Sequence, residues 1–270
     1  MNEIEEKAIN LYKSGLSLKN VAERLGYKSS NSIKNILIKH GIERRSTAGY
    51  KEPFNEDFFE IIDTERKAYW LGFFMADGNV AERKNSQPVI RIELQKKDRY
   101  ILEELEKDFG VSNKIKNSRS CYSLRVHSRK MFHDLNKYGI IPNKTKHETM
   151  DNIFNLSEDM IRHFIRGFFD GDGWITNTTS HGKRKGSRKC IGFVSNRRML
   201  EQLQIYLNKK IGTRINKIQD REGCSMLLYS SKRDIEAIKN FIYLNATIYL
   251  KRKFEKCYEI YVNTETAISK

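Results

Sequence analysis

Two long apolar runs, each closed by an aspartate and a glycine, dominate the hydrophobic pattern of the chain. The first lies within residues 68–78 and ends in Asp77-Gly78, and the second lies within residues 162–173 and ends in Asp172-Gly173. Such runs are typical of buried helices, whereas an aspartate needs water, a metal ion or a charged partner. The pair therefore predicts a duplicated fold with two carboxylates at its centre.

The same succession of patterns follows each run. Alternating apolar and polar residues predict strands, and apolar positions spaced three and four apart predict helices that end at glycines. After the first run we predict strand 89–95, helix 100–109, strands 113–115 and 122–127 and helix 129–138; after the second, strand 190–195, helix 198–210, strands 214–218 and 225–229 and helix 232–243. The fold class is therefore α+β, with the order αββαββα occurring twice.

The first 46 residues carry a purely helical pattern. Three short apolar faces are predicted, made of Ile4, Ala8 and Leu11, then Leu18, Val21, Ala22 and Leu25, then Ile33, Ile36 and Leu37. This arrangement resembles a helix-turn-helix, whose third helix would enter a DNA major groove with Asn31, Lys34 and Asn35. A three-helix packing module without a nucleic-acid partner is the alternative.

A linker is predicted at residues 47–53, where apolar periodicity is lost. Arg44 and Arg45 precede it, and they can follow a phosphate backbone or a minor groove, or remain solvated charges. The predicted division is a helix-turn-helix at 1–46, the linker, a first repeat at 54–150, a second repeat at 151–262 and a tail at 263–270.

The charge of the chain predicts that the duplicated fold binds a polyanionic partner. The 270 residues include 50 Lys and Arg against 34 Asp and Glu, for a net charge of +16 and a pI of about 9.6. This excess is typical of proteins that bind nucleic acid and unusual for an enzyme with a small substrate. A lysine-rich protein without such a partner is the alternative.

The remaining composition predicts an intracellular protein without a membrane partner. No segment reaches the ~18 uninterrupted apolar residues of a membrane helix, and the acidic N-terminus has no apolar signal core. The four cysteines are scattered, so we expect neither a structural zinc site nor a disulfide framework. A cytoplasmic or nucleoid-associated location follows from these expectations.

Small residues in the two runs predict a close helix pair. Gly72 and Ala76 lie four residues apart, as do Gly167 and Gly171, so each pair shares one helical face. Small faces let two backbones approach. If the helices pack together, Asp77 and Asp172 meet at helix ends that are already partly negative, an arrangement that favours a divalent cation.

The two runs resemble the LAGLIDADG motif of homing endonucleases. Its nine positions align with residues 70–78 and 165–173, and both copies keep the first glycine, the terminal acid and the final glycine. Leu71 and Arg166 depart from the small second position, and Met75 replaces the first acid, which Asp170 retains. The resemblance covers residues 54–262.

The resemblance implies a pseudo-symmetric monomer whose two sheets form a saddle on double-stranded DNA. It implies that Asp77 and Asp172 bind Mg²⁺, which Mn²⁺ can replace, with the carbonyls of Ala76 and Gly171 as further ligands. It also implies double-strand cleavage with 3′ overhangs. A basic residue near each centre is expected, from Lys144 or Lys146 and from Lys251 or Lys253, with Lys144 and Lys253 preferred. Gln95 and Ser195, at matching strand ends, can position solvent or contact bases.

Base and phosphate contacts are expected from the strands and from a basic loop at residues 176–189, which looks like a flexible hairpin that closes on phosphates or base edges. The predicted strand contacts are Arg91, Glu93, Arg119, Ser123, Arg125 and His127, and the predicted loop contacts are Lys183, Arg184, Lys185, Arg188 and Lys189. A disordered basic loop is the alternative for the second group.

The leading hypothesis is a site-specific homing endonuclease. Because residue 1 is neither Cys nor Ser and the sequence does not end in His-Asn, we expect a free-standing or intron-encoded protein rather than an intein. The alternatives are a non-cleaving transcriptional regulator on the same fold, and an RNA maturase that would bind its own intron.

Overall fold

The computed structural model describes residues 3–14, 16–43, 54–82, 86–144, 147–180 and 186–265, with the backbone alone at 177–180, 186–188 and 259–265. The chain divides into two compact units, Met1–Glu52 and Pro53–Lys270. Within the described ranges, no helix has the length and apolar character needed to cross a membrane.

Three helices make up the N-terminal unit: α1 Glu3–Lys13, α2 Leu18–Arg24 and α3 Ser30–Lys39. Ser17 caps α2 and Ser29 caps α3, each through its side-chain oxygen. The apolar faces predicted for α2 and α3 are correct, since Val21, Ala22, Ile33, Ile36 and Leu37 are buried. The face predicted for α1 is partly correct: Ala8 is buried and Leu11 packs against the core, whereas Ile4 is 49% exposed and Ile9 and Tyr12 are buried as well.

The second unit contains two copies of the same element order. The first copy comprises α4 Glu65–Ala76, β1 Gly78–Ala81, β2 Val89–Gln95, α5 Arg99–Phe109, β3 Ile115–Asn117, β4 Cys121–His127 and α6 Arg129–Lys137. The second comprises α7 Glu158–Asp172, β5 Gly173–Ser180, β6 Gly186–Ser195, α8 Arg197–Ile211, β7 Gln219–Arg221, β8 Cys224–Tyr229 and α9 Lys232–Tyr243. A last helix, α10 Lys251–Glu265, follows.

Each copy forms one antiparallel four-stranded sheet, and the two sheets have equivalent strand orders, β1-β2-β4-β3 and β5-β6-β8-β7. One face of each sheet packs on helices, because alternate strand residues such as Ile92 and Phe193 are fully buried. The predicted α+β class and its duplication are confirmed.

Helices α4 and α7 form the centre of the second unit and pack along most of their lengths. A Cβ added to Gly72 would lie 2.0 Å from the carbonyl oxygen of Phe164, and one added to Gly167 would lie 1.9 Å from that of Tyr69. Only glycine fits at either contact. The predicted small faces therefore do bring the two backbones together.

Two predicted strands are displaced in the structure. Strand β7 lies at Gln219–Arg221 instead of 214–218, because its pairing with β8 is set by a tight turn at Glu222-Gly223, where Gly223 has φ +80. Strand β3 begins at Ile115, two residues late, since Asn113 has φ +56. The described part of the hairpin predicted at 176–189 consists of the paired ends of β5 and β6, with Thr176 paired to Cys190 and Ser180 to Gly186, as β-branched residues favour.

Candidate active site at the paired helix ends

Asp77 and Asp172 lie at the adjacent C-terminal ends of α4 and α7. Asp77 follows α4 as its C-cap, and Asp172 is the last residue of α7. The ends meet closely: a Cβ on Gly171 would lie 2.3 Å from the Cβ of Ala76 and 3.5 Å from Oδ2 of Asp77. The four residues predicted at this interface (Gly72, Ala76, Gly167 and Gly171) thus place both carboxylates at one edge of the helix pair.

The surroundings disfavour two bare negative charges. Burial raises the pKa of Asp172 to about 7, and the neighbouring charge of Asp77 adds to the effect. Partial burial also raises the pKa of Asp77, which Lys253 and Lys144 oppose. Asp77 is nevertheless exposed and Asp172 is half-buried. The two carboxylates therefore form an accessible site that a cation would stabilise.

One buried lysine reaches each helix end. Lys144 donates from Nζ to the carbonyl oxygen of Ala76 at 2.8 Å. Lys253 donates to the carbonyl oxygens of Gly171 at 2.8 Å and Phe169 at 2.9 Å. Burial lowers the pKa of both ammonium groups, to about 8 for Lys253. Of the predicted alternatives, Lys251 is exposed with its Nζ 4.7 Å from the ring centre of Tyr100, and Lys146 lies outside the described residues.

The segments that carry these lysines are each bound to the other repeat. Before Lys253, the guanidinium of Arg252 donates to Asp98 of the first repeat, at 3.0 Å to Oδ2. After Lys144, the carboxylate of Glu148 accepts from Nδ2 of Asn196 in the second repeat at 2.9 Å. Sequence reasoning missed these braces, because each joins positions that only the duplicated fold brings together.

Asp170 is buried and fully engaged in the fold. Its carboxylate accepts from the hydroxyls of Tyr243 at 2.6 Å and Tyr69 at 3.0 Å, and from the backbone N–H of Leu250 at 2.7 Å. Because Leu250 directly precedes α10, these bonds fix the start of the helix that carries Lys253. With all of these bonds made inside the core, Asp170 has a structural role.

Arg166, at the motif position where a small residue is usual, is fully buried. Its guanidinium donates to Glu65 at 2.6 Å, to Nδ1 of His163 at 2.8 Å and to the carbonyl oxygens of Ile248 at 2.9 Å and Ile242 at 3.2 Å. The departure from the motif is therefore a structural bracket between α4, α7 and the segment that leads to α10.

The predicted match between Gln95 and Ser195 is wrong. Gly78 is in register with Ile92, and Gly173 with Phe193. Counting from these pairs, Gln95 corresponds to Asn196, and Ser195 corresponds to Leu94, whose side chain points to the core. Asn196 is itself occupied, since it caps α8 through Oδ1 and holds Glu148 through Nδ2. Only Gln95 lies exposed at its strand end.

The predicted strand contacts lie together on the outer face of the first sheet. Arg91 pairs in register with Arg125, and Glu93 with Ser123, while His127 ends the same row of alternating residues. Arg119 is exposed in the turn between β3 and β4. In the N-terminal unit, Asn31 and Asn35 are exposed and Lys34 is half-buried on the outward face of α3.

The basic residues predicted in the hairpin are only partly described by the structure. Lys189 is half-buried in β6. It lies two residues before the buried Ile191, so both side chains are on the same, inward face of the strand. Arg44, Arg45, Lys183, Arg184 and Lys185 lie outside the described residues, as does the side chain of Arg188.

The donors at the helix ends suit a hard divalent cation. The available ligands are the carboxylates of Asp77 and Asp172 and the carbonyl oxygens of Ala76 and Gly171, all of them oxygen. Each of these carbonyls accepts one lysine hydrogen bond and keeps a second lone pair. In the described part of the chain no set of three or more His, Cys, Asp or Glu side chains converges for a metal ion, so water and substrate would complete the coordination.

A protein-family model described as a LAGLIDADG-like domain matches the chain twice, at residues 64–139 and 159–243. The chain belongs to the LAGLIDADG-like family. Each match begins just before or within a motif helix and covers the following sheet, so the family assignment rests on both repeats.

Two curated proteins are similar to this LAGLIDADG-like chain. The ATP-dependent DNA helicase Hel308 of Methanocaldococcus jannaschii is 27% identical over 213 residues, which are 73% of this chain and 17% of the helicase. The DNA polymerase of Acanthamoeba polyphaga mimivirus is 29% identical over 242 residues, 81% of this chain and 13% of the polymerase. The chain spans less than a fifth of each relative.

Solved structures of LAGLIDADG meganucleases share the fold. I-SmaMI bound to cleaved DNA has a TM-score of 0.55 and 18% identity, over 74% of this chain and 90% of that one. I-AabMI bound to uncleaved DNA has a TM-score of 0.54 and 13% identity, over 74% and 91%. I-SmaMI has also been solved with its uncleaved target in the presence of calcium ions.

Proposed function

We propose that this LAGLIDADG-like chain is a site-specific homing endonuclease that cuts both strands of a long DNA target with the help of a divalent cation. The observation that carries the proposal is the pair of aspartates at the touching ends of α4 and α7, each with a buried lysine at the same helix end. The DNA-bound state of I-SmaMI and I-AabMI, which share the fold, supports it.

In this proposal Asp77 and Asp172 hold Mg²⁺, or Mn²⁺ in its place, beside the two scissile phosphates. The cation would supply activation of water and stabilisation of the negative charge that develops on the phosphate. Lys144 and Lys253 would hold a positive charge beside each reacting phosphate and order the water that attacks it. The accessible Asp77 leaves room for the backbone of the DNA.

The decisive experiment is cleavage by aspartate variants. A target is first selected from a plasmid library of random inserts by cutting with the full chain and Mg²⁺. Asp77→Asn and Asp172→Asn should each lose double-strand cleavage by at least about a thousandfold while binding persists, because the cation loses a charged ligand. Asp159→Asn is the matched control, since Asp159 lies on α7 far from its C-terminal end.

Two results would overturn the endonuclease, and a third would relocate its active site. Tight, specific binding without cleavage in Mg²⁺ or Mn²⁺ would make the chain a non-cleaving regulator on the same fold. Cleavage that persists in both asparagine variants would move the chemistry away from the helix ends. Binding to intron RNA without DNA cleavage would favour the maturase.

We further propose that the N-terminal unit is a helix-turn-helix that lengthens the DNA footprint. Residues 16–40 carry five Lys and Arg against one Glu, and the outward face of α3 presents Asn31, Lys34 and Asn35. A protein that lacks residues 1–52 should bind its target more weakly, yet cut at saturating concentration. Unchanged affinity would favour a packing module, and the loss of all cleavage by a folded fragment would refute the division of roles.

A further inference from the structure

Corresponding positions on the outer faces of the two sheets have opposite chemistry. Next to the aspartates, the strand register aligns Asn79, Arg91 and Arg125 across the first sheet, and Trp174, Gly192 and Leu228 across the second. One row further along, it aligns Glu93, Ser123 and Lys116 in the first sheet, and Val194, Met226 and Gln219 in the second. Apart from the polar Gln219, the second sheet therefore carries apolar residues or glycine at positions where the first sheet carries polar residues.

The apolar side chains belong to the outer face and not to the core. Their neighbours along the strands, Ile191, Phe193 and Leu227, are fully buried on the helix-packed side. Trp174, Val194, Met226 and Leu228 are each half-buried. We refer to these four residues as the apolar patch.

The contact between Gly192 and Trp174 shows that the apolar patch depends on a specific pair of residues. A Cβ added to Gly192 would lie 2.4 Å from two carbon atoms of the Trp174 ring. The indole therefore lies flat over this position, and no side chain equivalent to that of Arg91 can coexist with it. Trp174 and Gly192 occupy the positions that Asn79 and Arg91 occupy in the first sheet. The two differences depend on each other, because the indole ring needs a glycine beside it.

The position of the patch indicates what covers it. Trp174 stands two residues after Asp172, as Asn79 stands two residues after Asp77, so the patch continues from the candidate active site along the same strand. Exposed apolar surface of this kind marks an interaction site. A chain with a net charge of +16 favours DNA as the partner, and the apolar group that DNA presents in its major groove is the C5-methyl of thymine.

We propose that the two repeats read their half-sites by different chemistry: the apolar patch of the second repeat contacts thymine methyl groups, whereas the first repeat reads bases through hydrogen bonds from Arg91 and Arg125. The proposal rests on the proposed DNA-binding function and adds its specificity. It predicts a thymine-rich half-site on one side and guanine contacts, which suit arginine, on the other.

The test removes methyl groups from the DNA and leaves the protein unchanged. A target selected by the full chain is synthesised with deoxyuridine in place of thymine in one half-site at a time, and binding is measured in Ca²⁺. Deoxyuridine should weaken binding about fourfold for each contacted methyl in one half-site, and should have no effect in the other. Arg125→Ala identifies the polar half-site, because base preference there should relax.

A conservative variant assigns the effect to the patch. Val194→Thr replaces one methyl by a hydroxyl at constant shape, so it should reduce the deoxyuridine effect at one thymine. Ile205→Thr, which removes a comparable apolar group at an exposed position of α8 outside both sheets, is the control and should not. Circular dichroism and thermal unfolding confirm that both variants are folded.

Four results would overturn the proposal, and the last of them would overturn the proposed function as well. If deoxyuridine has no effect on binding in either half-site, the proposed contacts with thymine methyl groups are ruled out, whereas the proposed endonuclease activity is unaffected. A deoxyuridine effect confined to the half-site that Arg125→Ala alters would reverse the assignment. A concentration-dependent dimer that Met226→Ser abolishes would make a second copy of the chain the occupant of the patch. Failure to select any duplex would overturn the proposed function, and this inference with it.

Discussion

At the scale of single residues, His163 shows how a buried arginine changes its neighbour. Nδ1 of His163 accepts a hydrogen bond from Arg166 at 2.8 Å, so the imidazole is neutral with its proton on Nε2. Burial, together with the charge of Arg166, lowers the pKa of His163 to about 4. The unfolded chain, by contrast, titrates its histidines near 6.5.

This difference predicts a stability that depends on pH. Neutral His163 contributes fully to the free energy of unfolding above about pH 6.5, and this contribution is lost as the pH falls toward 4. In that range the histidine binds a proton in the unfolded state but stays neutral in the folded state. Between pH 7 and pH 5 the loss should be about 2 kcal/mol. Urea unfolding of the native protein and of His163→Gln, whose side-chain oxygen can accept the same bond, measures it.

The difference in free energy of unfolding between the native protein and His163→Gln separates the effect of His163 from that of other titrating side chains. One of these is Asp172, whose raised pKa makes the folded protein more stable as the pH falls. The stability advantage of the native protein over His163→Gln should shrink by about 2 kcal/mol from pH 7 to pH 5. Parallel stability curves for the two proteins would contradict the assignment.

At the scale of elements, the contact between α4 and α7 depends on two glycines. A methyl group at position 167 would overlap the carbonyl oxygen of Tyr69, a backbone atom that cannot rotate away. Gly167→Ala should therefore lower the free energy of unfolding by about 3 kcal/mol or more, as overpacking at a rigid contact does. It should also separate Asp77 from Asp172 and reduce cleavage by the remaining folded protein.

Gly110→Ala distinguishes this steric effect from the general cost of replacing glycine. Gly110 has φ +64, but a Cβ there meets nothing within 4 Å. The control should cost about 1 kcal/mol through backbone strain alone and should keep full cleavage. Chemical denaturation and a cleavage assay cover both variants. Equal destabilisation by the two changes would show that the helix contact tolerates a methyl group.

At the scale of the whole molecule, the charge of +16 predicts how affinity for the proposed DNA target depends on salt. If several of its basic side chains contact phosphates, affinity should fall by roughly 10³ or more between 50 and 200 mM salt, because binding releases condensed counterions. Titration of the selected target at several salt concentrations gives the slope. A flat response would contradict binding on an extended phosphate surface.

Single charges should contribute according to their position. Arg125→Gln, on the outer face of the first sheet, should reduce the salt slope by about one if Arg125 meets a phosphate, and should relax one base preference if it meets guanine. Lys107→Gln is the control, since Lys107 lies on the exposed side of α5 and pairs with Glu104 at 2.6 Å. An equal effect of both changes would show that only total charge matters.

The sequence alone determined the duplication, the two motif helices, the small faces at Gly72 and Gly167, and the placement of Asp77 and Asp172 at helix ends. Apart from the duplication, which repeats a whole order of elements, these features are local, since each follows from residue spacing within one element. It located most strands and helices for the same reason, and failed at β7, where the turn at Gly223 set the pairing.

The tertiary structure alone decided which distant residues act together. The bonds of Lys144 to Ala76 and of Lys253 to Gly171, the brace between Asp98 and Arg252, and the bracket around Arg166 join segments that are far apart in the chain. Strand register likewise replaced Ser195 with Asn196 as the counterpart of Gln95 and revealed the apolar patch. A shift of one residue moves a side chain to the other face of a sheet, and only pairing with a neighbouring strand fixes that register.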